Sequence, residues 1–515
     1  MKCELTIFST GFYLLLSFLI LLCLEGYVFG TGDQSEMLAY AAYLRDNSLF
    51  SHDFYIQSIV HEVPNERWLF SALLALMGDQ LEIPAFLAFS ISTLFLLLAL
   101  YRITCLFLDY RYCLIPWLIA LAVIIPLNGI SLGENELYYN VFLPGTLALS
   151  IGSWSWYYWL KNYAYRPCLL LVAATLIHPM SGFHIFLLIT GSTLIFQVRS
   201  KQKPDIKAYF PIALYLLIVA PWLYFILLRF GQGELPGEKF MEIIRFRLAH
   251  HFIPSVFALK NYLIIGGLFL PAMIILLQSD KEIFLWWHRL KYTFLIILSG
   301  ITLYTIGIEL FNAPVFITSQ WFSTTLWLKT FSILVLATYL IKFIKNDILI
   351  LVDKSLSWIF PVVSIICLLS ALVGFSFFKH REYQFPWQEI SPDKEIAIKC
   401  GMISDESALF LVPPDFTPFP YYSKRSNFIS YKQMVHKKKT MGEWYQLIRE
   451  MYAVNEAGEI TNQMPLLKKN WANKKVAFFK EKAGKYGITH VLTYQGHKLP
   501  LEILAENSAY VVYKL

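Results

Sequence analysis

The chain has 515 residues, of which 57% are hydrophobic and only 15% charged, with a formal net charge of +7. Soluble globular proteins carry about a quarter charged residues. The apolar residues here fall in runs of about 20, the length that crosses a bilayer as a helix, so an ordinary soluble enzyme is excluded. From Lys379 onward Lys and Arg outnumber Asp and Glu, a balance that suits phospholipid or a lipid-linked phosphate. No basic stripe interleaved with aromatics argues for nucleic acid. Seven cysteines include no CxxC pair and no Cys/His cluster at metal-ligand spacing.

In chain order, the run from Leu5 to Val28 reads as an uncleaved signal anchor. In loop 29–67, Gln34–Arg45 reads as a helix with Met37, Leu38, Ala41 and Leu44 on one face. Trp68–Met77 is a second short apolar stretch. Both are expected to lie at the membrane interface, with Trp68 as an anchor. Further spans are expected over 82–108, 112–130, 141–160, 168–178, 184–198, 209–229, 261–279, 292–310, 324–345 and 356–378, about eleven crossings in all. Residues 168–178 and 184–198 are short for spans, and the His178-Pro179 break between them suggests that they line a cavity.

Connections rich in Lys/Arg (Lys161–Arg166, Arg199–Lys207, Lys281–Lys291, Lys342–Lys354) all fall on one side of this count, while loops 29–67 and 131–140 are predominantly acidic. The positive-inside rule then puts the N-terminus in the cytoplasm and everything after Lys379 outside. The absence of an Asn-x-Ser/Thr sequon favours a bacterial inner membrane. Past Lys379 the periods alternate. Strands are expected over 408–412, 427–431, 488–494 and 509–513, and helices over 393–399, 442–452 and 472–485. The expected architecture is a mostly α polytopic membrane bundle over 1–378, followed by a small extracytoplasmic α/β domain over 379–515.

The first span is followed by Gly30-Thr31-Gly32-Asp33-Gln34 and a helical first outer loop, Ser35–Asn47. With an inside N-terminus, many spans and a soluble outer domain, this pattern resembles the type C glycosyltransferase superfamily. The resemblance implies a polyprenyl-phosphate-linked sugar as donor and a first-loop carboxylate as base or acceptor-orienting group. The second acidic residue that many type C enzymes show has only loose counterparts here, Glu36 or Asp53. Residues Ala408–Pro414, Lys424–Phe428 and Lys485–Val491, with His178-Pro179 and His250-His251, are also similar to a group of bacterial multi-pass proteins without an assigned activity.

Asp33 and Glu36 are the catalytic candidates. They lie three apart on a helix and so share a face, with Tyr40 one turn further as a substrate contact. Asp33 could accept an acceptor hydroxyl's proton, while D-x-x-E is equally a helix-start signature with Asp33 as N-cap. Asp53 could be a second carboxylate or metal ligand, against the plainer reading of a solvated loop charge. Residues 240–252 read as one amphipathic helix on which Arg247, His250 and His251 share a face, while Arg245 points away toward Glu242. Arginine forks suit a donor phosphate, and lipid headgroups are the alternative partner. Adjacent histidines on a helix diverge, so they are not by themselves a metal motif. His178 at the hairpin tip, Lys329 just inside a span, Gln320 before that span and Arg425 after a strand complete the substrate-binding candidates. No ligand spacing demands a metal, although the acidic residues of loop 29–67 would suit a divalent cation.

The reading is a membrane glycosyltransferase with membrane lipid, a lipid-linked sugar donor and an unidentified acceptor as partners. A non-catalytic transporter or an assembly subunit for envelope polysaccharide is the alternative.

Overall fold

A computed structural model describes residues 7–107, 114–200, 206–231, 235–278, 285–341, 343, 359, 362, 363, 365, 366, 385, 386, 390–455 and 457–515. Among these residues, six helices are long and apolar enough to cross a membrane: Glu82–Phe107, Pro179–Arg199, Tyr209–Ile226, Leu259–Gln278, Trp286–Leu310 and Pro314–Ile341. Shorter apolar helices cover Gly11–Glu25, Leu114–Ile124 and Tyr165–Ile177. Helices that are apolar on every side have nowhere to sit but lipid or a protein interior, and the chain is a membrane protein. The span expected over 356–378 lies outside the described residues.

The chain divides into two compact units. The first joins 1–28, 86–223 and 248–384, and the second joins 29–85, 224–247 and 385–515. A boundary drawn at 378/379 therefore captures only the last segment of the second unit.

In the first unit, Pro144–Leu160, Tyr165–Ile177 and Pro179–Arg199 pack one on the next, and Leu285–Thr305 packs on Pro179–Arg199. Small hydroxyl residues are tolerated in this apolar setting because they bond their own helix. Ser153, Thr175, Thr330, Ser332 and Thr338 each donate to the carbonyl four residues back. Ser192 and Thr293 join two helices through their hydroxyls at 2.8 Å.

Two expectations need correction. The stretch 184–198 is not a short broken span, because its helix starts at Pro179 and runs 21 residues. Proline fits the first helical turn, where its missing N–H is not needed. Among the described residues of the stretch 112–130 the helix covers Leu114–Ile124, and the chain beyond it becomes a folded loop described below.

The second unit carries a five-stranded sheet: β1 (Leu409–Leu411), β2 (Ser426–Asn427), β3 (His490–Tyr494), β4 (Ile503–Glu506) and β5 (Tyr510–Lys514), in the order β2-β1-β3-β5-β4. β1 is parallel to β2 and β3, while β5 is antiparallel to β3 and β4. Phe410, Val412, Leu492 and Val512 bury one face against Ile396, Cys400 and Phe419. β4 was not expected from the sequence, since it is a short edge strand, exposed or half-buried throughout. The strand expected over 427–431 is reduced to two residues.

Helix Gln34–Arg45 belongs to this unit and is buried on all sides from Gln34 to Ala42. It packs on Trp68–Leu76 and on Phe419–Ser423. It is thus a core helix of the second unit rather than one with a single buried face at the interface.

Candidate functional site

The loop after Leu114–Ile124 in the first unit is folded by specific bonds. Lys329, 3% exposed, donates from its ammonium to the carbonyls of Leu127, Asn128 and Ile130 at 2.6, 3.1 and 2.7 Å. All three of its hydrogens are engaged on the frayed end of that helix, where unsatisfied carbonyls collect. Asn128 clasps the returning chain through the Tyr138 backbone. Asn261 donates to the Ser131 carbonyl, and His251 Nδ1 lies 2.8 Å from the Gly133 carbonyl.

These anchors hold Gly133 at φ 77° and Glu134 at φ 53°. Glycine suits that left-handed region; glutamate does not, and a non-glycine residue held there is a mark of function when its surroundings enforce it. A Cβ at Gly133 would meet the His251 carbonyl at 3.0 Å.

The strained residue reaches a pair of histidines. Glu134 Oε2 is 3.8 Å from His250 Nε2, and the rings of His250 and His251 are 4.2 Å apart. One ligand atom from each of the three residues lies within 4.8 Å of the others. The expected divergence of neighbouring histidines fails because residues 240–252 are not one helix. Gly237–Arg247 ends, Leu248 breaks the helical geometry at ψ 20°, and Ala249–Phe252 forms a separate turn. For the same reason Arg247 shares no helix face with the histidines.

A proton on His251 Nδ1, donated to the Gly133 carbonyl, leaves Nε2 with its lone pair for a ligand, the usual device for fixing a metal-binding tautomer. Two imidazoles and one carboxylate with an open side suit Zn²⁺ or a similar divalent ion. The donor set therefore fits a cation, formed by Glu134 and the His pair rather than by the acidic residues of loop 29–67. Glu134 was missed in the sequence. Its signal was an acidic residue directly after a glycine in the short loop 131–140.

Replacing Lys329 with Met should remove the donor to the Asn128 and Ile130 carbonyls and leave Leu127 with only its bond from the Ile130 N–H. Each such loss costs about 1–3 kcal/mol, so the thermal midpoint of the detergent-solubilised protein should fall clearly. Metal affinity should fall with it as the loop that presents Glu134 loosens.

The second unit holds the first-loop carboxylates. Asp33 occupies the N-cap position of Gln34–Arg45 but makes no capping bond. Its carboxylate is about half exposed, at 55%, and pairs with Lys432 Nζ at 2.7 Å. The local turn is closed instead by Gln34, whose side-chain oxygen accepts from Gly30 N–H at 2.7 Å, and by Ser35, which donates to the Gly32 carbonyl. Glu36 turns inward. It is 2% exposed and bound by Arg67 at 2.9 Å, and the Tyr55 hydroxyl donates to it at 3.3 Å. Burial raises the Glu36 pKa, and the Arg67 guanidinium works against that rise. A buried, paired carboxylate cannot meet a substrate, so Glu36 holds the site's floor while Asp33 faces outward. Tyr40 is buried one turn on, its hydroxyl accepting from Asn65 at 3.3 Å.

Asp53 is not a solvated charge; it is 1% exposed. One carboxylate oxygen accepts from Ile56 N–H as a helix cap and the other from Asn427 N–H of β2, both at 2.9 Å. Burial raises its pKa to about 6, while the backbone N–H groups of Ile56, Asn427 and Tyr55 pull the other way. A native pKa above the unfolded value near 3.9 favours folding fully below about pH 4 and loses that contribution as pH rises through about 6, by about 3 kcal/mol in all. Asp53→Asn should flatten the denaturant midpoint of the second unit between those pH values. Asp53→Ala should cost about 2–4 kcal/mol through the lost cap and the orphaned Asn427 N–H.

The remaining candidates are held as follows. His178 caps helix Pro179–Arg199, its Nδ1 accepting from the Ser181 N–H at 3.2 Å. Gln320 sits at φ 44° between two 3₁₀ turns, and His184, unnoticed in the sequence, staples that corner. The His184 ring reaches the Ser319 carbonyl and the Ser323 hydroxyl, each at 2.7 Å. Arg247 donates to the Tyr431 carbonyl at 3.3 Å and lies over that ring, and Arg245 is exposed. Glu242 is engaged by Lys239 and the Tyr445 hydroxyl. Arg425 is spent on carbonyls, including those of Gly401 and Ser404 at 2.7 and 2.6 Å. It therefore closes the end of helix Pro392–Ile403 rather than offering its fork to a ligand.

Residues 399–451 match one family model, described as a domain of unknown function (DUF6798). No curated protein matches the chain by sequence. Among solved structures, the oligosaccharyltransferase of Archaeoglobus fulgidus in the apo form is similar with a TM-score of 0.52 at 12% identity, over 95% of this chain and 70% of that one. The same enzyme in complex with Zn and sulfate gives 0.50 at 13% identity, over 94% and 68%. ArnT from Cupriavidus metallidurans bound to undecaprenyl phosphate gives 0.48 at 12%, over 98% and 97%. At such identities the likeness is one of fold alone.

Proposed function

We propose that the protein is an inverting membrane glycosyltransferase that moves a sugar from a polyprenyl-phosphate carrier to an acceptor at the outer face of a bacterial inner membrane. The observation that carries this reading is the Glu134–His250–His251 cluster, presented by a strained and tightly anchored loop within a type C fold. The reading includes about eleven crossings, a cytoplasmic N-terminus and an outer C-terminus, which rest on the positively charged connections.

The donor assignment follows from the likeness at Gly30–Gln34. The acceptor hydroxyl attacks the anomeric carbon, and its proton passes to a carboxylate oxygen of Asp33. The bond to the carrier breaks with its electron pair leaving on the phosphate oxygen. Lys432 orients Asp33, and Glu36 with Arg67 fixes the turn beneath it. Within the first unit, Glu134, His250 and His251 would hold a divalent cation, which supplies positive charge toward phosphate oxygens. Arg245 and Arg247 add basic groups for phosphate or headgroup oxygens.

The test is reconstitution in sealed vesicles with a radiolabelled lipid-linked sugar and an envelope extract as acceptor source. A new glycosylated product together with free polyprenyl phosphate is expected. Passage of unaltered label across the membrane, with no new product, would overturn the reading in favour of a transporter.

A further inference from the structure

A second set of polar residues lies in the second unit, apart from the carboxylates of the first loop. Helix Lys438–Ile448 runs directly into a π-helical turn, Arg449–Ala453. Such turns widen a helix by one residue per turn and recur at functional sites. Here the widened turn borders a surface cavity of ≈ 390 Å³ lined by Gln446, Arg449, Glu450, Val454, Asn455 and Lys474. A cavity of that size holds a ligand of one or two sugar rings.

Its charges are arranged for an anion. Arg449 lies over the Tyr445 ring at 5.6 Å, and its Nε is buried without a hydrogen-bond acceptor among the described residues. A buried guanidinium nitrogen with no acceptor is costly unless something supplies one. Lys474 Nζ sits over Phe478 at 4.4 Å, so both cations lean on aromatic rings.

The lining carboxylate, Glu450, does not oppose an incoming anion. It is bound by Lys482 at 2.8 Å, by Lys485 at 3.1 Å and by the Tyr486 hydroxyl at 2.7 Å. Against the effect of burial, these donors hold its pKa down to about 2. Asn455 is fixed by a reciprocal pair of bonds with Glu459 at 2.8 and 2.9 Å, which stiffens the far wall. Gln446, exposed on the last turn of the helix, supplies an amide of the kind that reads sugar hydroxyls.

We propose that this cavity binds an oxyanion-bearing sugar, a sugar phosphate or a uronate, with Arg449 taking the anionic group and Lys474 assisting. The site is independent of the transferase reading, since none of its residues takes part in the chemistry assigned above.

The experiment is titration calorimetry on the full chain in detergent with four probes: glucose 1-phosphate, glucuronate, inorganic phosphate and glucose. Saturable binding of at least one anionic sugar is expected, tighter than inorganic phosphate, with no binding of glucose. Arg449→Gln should weaken that binding at least about tenfold, as expected for loss of a charged hydrogen bond. Lys474→Gln should weaken it less. Lys438→Gln, which removes the same charge at a position that does not line the cavity, should leave it unchanged. Thermal melts establish that each variant is folded, and Lys474→Gln carries the test if Arg449→Gln does not fold. The proposal is overturned if no anionic sugar binds saturably or if inorganic phosphate binds as well as the sugars. It is also overturned if Lys438→Gln weakens binding as much as the cavity variants do.

Discussion

Glu134→Gln is expected to strip the protein of bound divalent metal and to reduce sugar transfer by about 100-fold or more. Even groups that only support a metal ligand cost about 10–100-fold in affinity or activity when removed, and Glu134 is the sole carboxylate of the cluster. Metal content of the purified variant, measured by elemental analysis after dialysis against Zn²⁺ or Mn²⁺, reads the effect without reference to activity. His251→Ala should act in the same direction and also free the Gly133 carbonyl that its ring engages. Glu134 is 64% exposed and strained, so neither its hydrogen bonding nor its packing predicts a loss of fold. The thermal midpoint without metal should therefore hold. Unchanged metal loading in Glu134→Gln would remove the cluster from the mechanism.

Asp33→Asn carries the second large effect. A positioned general base contributes about 10²–10⁴-fold, and transfer should fall by that amount with little change in stability. The structure sharpens this expectation because the main structural role open to Asp33 was that of a helix cap, and its side chain makes no capping bond. A cap lost to Asn would in any case cost almost nothing, since Asn caps as well as Asp. Lys432→Met tests the same pair from its other side. It should cost activity but not fold, because exposed ion pairs contribute at most about 1 kcal/mol. If Asp33→Asn transfers sugar at the wild-type rate while remaining folded, the base must be sought elsewhere.

The membrane class and most of the helices were legible in the sequence because each rests on local pattern. Run length marks a span, and Gly30–Gln34 marks the first loop. The C-terminal strands were legible to the extent that they are buried and alternate. β4, an exposed edge, carried no such signal. Asp33 stands out as a candidate in the sequence through its position after the first apolar run. Glu134 does not, because its importance lies in a backbone conformation imposed from outside its own segment. Lys329 and Arg425 attracted notice as charges in unusual places, and both proved to be satisfied by carbonyls of other segments, which composition cannot show. The helix expected over 240–252 had the right periodicity throughout, yet it breaks at Leu248 and so frees the two histidines from helical geometry.

What the sequence determined by itself is what depends on neighbours along the chain: apolar run lengths, the charge of connections, and the glycine-rich turn that delivers Asp33 to the start of a helix. What only the tertiary structure decided is which charges are spent and which remain available. Glu36 is buried on Arg67, Asp53 ties a helix to a strand, and Lys329 is consumed in pinning a loop. Asp33 keeps half its surface open, and Glu134 is held toward two histidines more than a hundred residues away in sequence. The reason is physical. A buried charge takes its meaning from its partners, and here those partners come from distant segments.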